Sequence, residues 1–194
     1  MEKLAKIAAV ASIITLTLVV VFVTGFNFGY YTRSASLQLN VESGYCAHIE
    51  VVLKRADGTT MLIKNGTLTG NAGVLTTIGK NWIENQLGNT PGTDPAKWIA
   101  LSTSTQTPSA SWTSIPDEIT TGGLARAAGT YSDNGDGSWK ITKTFTATQS
   151  FAGVQLTGLY WAASGSYLLA ADTFSPVNLN ANDQLTVTWT ITVS

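Results

Sequence analysis

At the end of the chain, Leu185, Val187, Trp189, Ile191 and Val193 alternate without a break with Thr186, Thr188, Thr190 and Thr192. Only a strand sends every second side chain to one face, so this segment demands a sheet with one buried and one hydroxylated side. The same period recurs at Val154, Leu156, Gly158 and Tyr160, and in Trp139, Ile141 and Phe145 within residues 138–148. It appears again near the start, where Ala35, Leu37, Leu39 and Val41 alternate with Ser36, Gln38, Asn40 and Glu42.

Turn chemistry separates these runs. Asp57-Gly58 stands between residues 45–55 and 59–64, and Gly accepts the positive φ of a tight hairpin turn. Asn65-Gly66-Thr67 is expected to close that hairpin, residues 132–137 (SDNGDG) to turn before the next strand, and Pro176 to end another. One stretch has helical spacing: Val74, Leu75, Ile78, Trp82, Ile83 and Leu87, with Gly88 just past its end. The pattern predicts a mainly β domain over residues 34–194. It is an antiparallel, jelly-roll-like sandwich of about nine strands with one short helix.

Ahead of this domain, residues 7–28 contain no charge and follow Lys3 and Lys6. As a helix they would cross the roughly 30 Å hydrocarbon core of a bilayer. Residues 1–33 are therefore expected to be a cleaved signal or a retained membrane or filament-core helix, with a buried helix of a cytosolic protein as the third reading. Either of the first two exports the rest of the chain. Beyond residue 33 there are eight Lys and Arg against eleven Asp and Glu, without a basic run, so a nucleic-acid surface is not expected. Ser and Thr fill 40 of those 161 positions, a composition common on cell-surface proteins. Cys46 is the single cysteine, which rules out an intrachain disulfide framework.

Candidate chemistry is sparse. Cys46 and His48 share a strand face, but a structural zinc site needs four N or S ligands. Residues 133–137 (DNGDG) offer oxygens for calcium or a Gly-rich turn, and their spacing departs from the EF-hand loop. Asp117-Glu118 is an acid pair in a loop with no second carboxylate placed for glycoside cleavage. No catalytic residue, metal or cofactor is expected. Asn65 heads the chain's one N-x-S/T sequon, a candidate glycan site as well as a turn. Trp98, Trp139 and Trp189 are expected in the core; Trp112 and Trp161 are candidate surface contacts, and Trp112 has the alternative of plugging the core. Trp112 lies in the Pro-, Ser- and Thr-rich residues 89–121, expected to form long surface loops of the kind that carry recognition.

Two resemblances bear on function. The series WIALSTST, IPDEITTGGLARAAGTY, KTFTAT, LTGLYWA and LLAADTFSPVNLNANDQLTVTWTITVS resembles small β-sandwich proteins of tailed phages and archaeal viruses. That implies a tail or fibre part binding a host receptor. The overall layout of an export segment, a short alternating strand and a hydroxyl-rich sandwich resembles archaeal extracellular filament subunits. In those, the N-terminal strand of one subunit completes the sheet of the next, and the inserted face here would be Ala35, Leu37, Leu39 and Val41. The leading expectation is a non-enzymatic filament or pilus subunit that polymerises with copies of itself and meets the membrane through residues 7–28. A virion protein and a membrane-anchored carbohydrate-binding module are the alternatives.

Overall fold

The computed structural model describes residues 17–20, 31–34, 45–67, 73–88, 92 and 94–193. The chain divides into two compact units, Met1–Glu42 and Ser43–Ser194. In the first, β1 (Thr17–Val20) pairs antiparallel with β2 (Tyr31–Ser34). Thr17, Val19 and Val20 are β-branched and suit extended backbone, so at these four positions a strand stands where a helix was expected. The rest of the expected helix over residues 7–28, and the candidate strand at Ala35, Leu37, Leu39 and Val41, lie outside the described residues. Among the described residues no helix is long and apolar enough to cross a membrane.

The described residues of the second unit are mainly β: two antiparallel five-stranded sheets packed face to face, with one helix. The first sheet contains β3 (Tyr45–Lys54), β4 (Thr60–Thr67), β8 (Thr130–Gly135), β9 (Ser138–Thr146) and β12 (Gln184–Val193), in the order β4-β3-β12-β9-β8. The second contains β5 (Gly73–Leu75), β6 (Trp98–Ser102), β7 (Ala127–Ala128), β10 (Phe151–Tyr160) and β11 (Leu168–Leu179), ordered β5-β11-β10-β6-β7. Helix α1 (Thr77–Gly88) follows β5.

Strand β12 is central to its sheet, and its alternation reads directly as structure. Leu185, Val187, Trp189 and Ile191 are fully buried against Ile49, Val51, Ile141, Phe145 and the facing sheet. Burying each such side chain contributes about 1.5–3 kcal/mol. Its threonines face outward and join neighbours through hydroxyls, Thr186 to Thr144 at 2.8 Å and Thr188 to Thr142 at 3.1 Å. The outer face of the second sheet is instead covered by residues 103–126. Ile115 packs there with Leu156, Tyr160 and Leu168, with Trp98 and Trp112 half-buried beside them.

Four local readings are corrected. Asn65, Gly66 and Thr67 belong to β4, because β3 continues back to Tyr45 and keeps partnering them as far as His48↔Thr67. Val74 and Leu75 form β5 beside Ala171 and Ala170, and the helix begins only after Thr76. The strand before Gly137 runs through Gly135, leaving Asp136-Gly137 as the turn, each with positive φ. Pro176 does not end β11: it falls where the register against β10 shifts between Thr173 and Val177, a site at which a missing N–H leaves no ladder bond unmade.

Candidate functional site

The site begins with the entry into α1. Thr76 is buried; its Oγ1 accepts from the Gly79 N–H at 3.0 Å and donates to the Leu168 carbonyl at 2.5 Å. Gly79 permits close approach of the helix to β11, since a Cβ there would stand 2.3 Å from the Leu169 carbonyl oxygen. The helix is thereby held so that Trp82, Ile83 and Gln86 overhang one end of the sandwich.

Beneath the helix the sheets do not close on one another. Tyr131 of β8, Trp139 and Ile141 of β9 and Ile191 of β12 face Leu159 of β10 and Leu169 of β11. With the helix and residues 95–97 they line an apolar cleft of about 490 Å³. Lys97 is the one charged residue among those lining it. Tyr131 is 60% exposed and Trp139 and Trp82 are half-buried, so apolar surface remains in contact with solvent. A cavity with this lining offers burial to apolar side chains.

Three ion pairs elsewhere, Arg55–Asp183, Lys64–Asp172 and Arg126–Glu118, hold strands and loops. Asp183 is 2% exposed and accepts from Arg55 Nη1 at 2.7 Å and from the Ala56 and Asn180 N–H groups at 2.9 Å. The Asn180 N–H first, and then Arg55, hold its carboxyl below the usual range. Lys64 on β4 pairs with Asp172 on β11, tying the two sheets at one edge, and also donates to the Thr173 carbonyl at 2.7 Å. Burial pushes Asp172 upward against the opposing pull of Lys64. Glu118 and Arg126 form a two-pronged ion pair that pins the covering loop.

The residues singled out in sequence are scattered. Cys46 and His48 are half-buried on β3, where His48 Nε2 lies 2.5 Å from Asn65 Oδ1 on β4. Asn65 is exposed, on a strand rather than a turn. Asp133 Oδ1 accepts from the Gly135 N–H at 2.8 Å, an intrastrand contact. Among the described residues no three His, Cys, Asp or Glu side chains converge as metal ligands do. Trp112 is half-buried against the outer cluster of the second sheet. Trp161 is half-buried too, stacked on Trp82 with centroids 5.8 Å apart and tilted against Tyr167 at 5.6 Å.

Sequence reasoning missed the cleft. Trp139, expected in the core, and Trp82 of the helical stripe both pack partly buried against the core and also line the opening. Comparison of the chain with protein-family models, with curated proteins and with solved structures returned no match.

Proposed function

We propose that this chain is a non-enzymatic structural subunit of an extracellular filament or pilus. Its jelly-roll-like sandwich is exported by the apolar N-terminal segment and assembles by β-strand addition between copies of itself. The observation that carries the reading is the edge strand β8. All six of its residues, 130–135, are exposed, and among the described residues β9 is its one ladder partner. An edge of this kind presents a row of unpaired N–H and C=O groups to any strand that meets it. The sequence carries a strand pattern ahead of this unit, Ala35, Leu37, Leu39 and Val41, with one apolar and one polar face. The commitment of buried charges to strand-tying pairs supports a mechanical role.

Deletion of residues 34–42 tests this. The expected product is a secreted, folded monomer that forms no filaments by negative-stain microscopy. Filaments from the deletion would overturn the proposal.

The Trp82–Trp161–Tyr167 row favours a second reading, a carbohydrate-contacting module, because Tyr167 is 47% exposed at the row's end. Glycan-array binding that disappears in Trp161→Ala would support it, and an array without binders would remove it. As a substrate for N-glycosylation, Asn65 has the exposure that modification requires.

A further inference from the structure

Resting on the strand-addition reading, we propose that the apolar cleft between α1 and β8 is the acceptor, and that its occupant is residues 35–41 of a neighbouring copy. The incoming strand pairs with the free edge of β8 as a sixth strand of that sheet. Ala35, Leu37, Leu39 and Val41 face inward over Tyr131 and Trp139.

Register argues for the fit. Tyr131 stands opposite Ile141, whose side chain is buried in the core, so Tyr131 marks the inward face of β8. A strand added beside it turns every second residue to that same side. Residues 35–41 have the matching period, and their seven residues span the six of β8. The inward positions then fill the cleft of about 490 Å³ and remove Tyr131, Trp139 and Trp82 from water.

The course of the chain argues for a neighbour over self-insertion. Residues 35–44 run up to Tyr45, the first residue of β3, which is registered with Val193 at the end where Ile191 lines the cleft. A hairpin through residues 42–44 would fold the segment back beside β3. There β12 occupies one flank along the whole strand and β4 occupies the other from His48 onward. The place beside the outer edge of β8 lies beyond β12, β9 and β8, four strand spacings from β3, or about 19 Å. Three-residue connections join adjacent strands. A second copy meets no such restriction.

Cross-linking tests the assignment in the full chain, with Cys46→Ser to remove the native thiol and Leu37→Cys paired with Gln86→Cys. Oxidised assemblies are expected to run as a ladder of dimers and higher species on a non-reducing gel, collapsing on reduction. A cross-link confined to single chains overturns the proposal, and so do filaments that form without any cross-link; the latter leaves strand addition itself standing. Absence of filaments from the unmodified chain removes both.

A second measurement avoids the cysteine variants. A peptide of residues 34–42 added to the protein lacking them is expected to slow amide exchange across Thr130–Gly135 by about tenfold or more. Equal protection by a peptide carrying Leu37→Asp and Leu39→Asp, or no protection by the native peptide, overturns the assignment.

Discussion

Arg126 lies over Tyr160, its guanidinium carbon 3.5 Å from the ring centroid. The same guanidinium forks onto Glu118, through Nε at 2.9 Å and Nη2 at 2.5 Å, and its Nη1 donates to the Gly165 carbonyl at 3.1 Å. The Tyr160 hydroxyl accepts from the Ile115 N–H at 2.8 Å. Burial pushes that hydroxyl up to about 12, so it stays protonated throughout the neutral range. One arginine thus fastens the covering loop to the second sheet and to the turn that follows β10.

Replacing Arg126 with Ala is expected to destabilise the domain by about 2–4 kcal/mol, because Glu118 and the Ala162 and Gly165 carbonyls lose a charged donor together. Arg126→Lys should recover less than half of this, since a single ammonium cannot fork onto a carboxylate while covering a ring. Urea midpoints of the two variants check the ranking. Equal stability of Lys and Ala forms would support the planar fork alone; full recovery by Lys would contradict it.

Gly79→Ala is expected to cost about 1–3 kcal/mol, although alanine favours helices over glycine by about 1 kcal/mol. The added methyl meets the Leu169 carbonyl at 2.3 Å, backbone that cannot turn aside. Gly88→Ala serves as the control: nothing lies within 4 Å of its Cβ position. A thermal melt in which Gly79→Ala matches or exceeds the parent would show that α1 does not press on β11 as described.

What could be read from sequence and what could not divides by range. The alternation of 185–193 and the Asp57-Gly58 turn are local, and each specified its element. Thr76 was obscured because Val74 and Leu75 continue the apolar spacing of the helix, while β11 recruits them as a strand. Pro176 misled for the opposite reason: a proline rule for regular ladders does not hold at a bulge. The cleft needed Trp82, Tyr131, Trp139 and Leu159 to meet from four elements, and no window of sequence contains that information. Lys64 and Asp172, 108 residues apart, gave no signal either.

Acid stability should report Asp183. Its folded pKa is depressed, so its contribution is present above the unfolded value near 4 and disappears as pH falls through the lower folded value. Asp57, lowered by the Thr59 N–H, acts in the same direction. Asp183→Asn is expected to lower Tm at pH 7 by about 5 °C or more and to approach the parent as pH drops below about 4. Melts across pH 2–7 in roughly unit steps check this. A constant gap between the two proteins at every pH would rule out ionisation of Asp183 as the cause.

The Lys64–Asp172 pair should behave asymmetrically, because Asp172 is 1% exposed and Lys64 is 17% exposed. Burial raises the folded pKa of Asp172 above its unfolded value, so ionisation of this carboxyl works against folding as pH rises. Lys64 opposes that shift. Lys64→Met leaves a buried carboxyl without its cation and is expected to cost about 3–5 kcal/mol at pH 7. Asp172→Asn should cost less, since the lysine can turn toward water and the amide oxygen can still accept from it. The deficit of Lys64→Met relative to the parent should shrink as pH falls, when Asp172 takes up a proton and no charge is left unpaired. Paired urea titrations near pH 7 and pH 4 measure that difference; a deficit that widens toward acid would contradict the assignment.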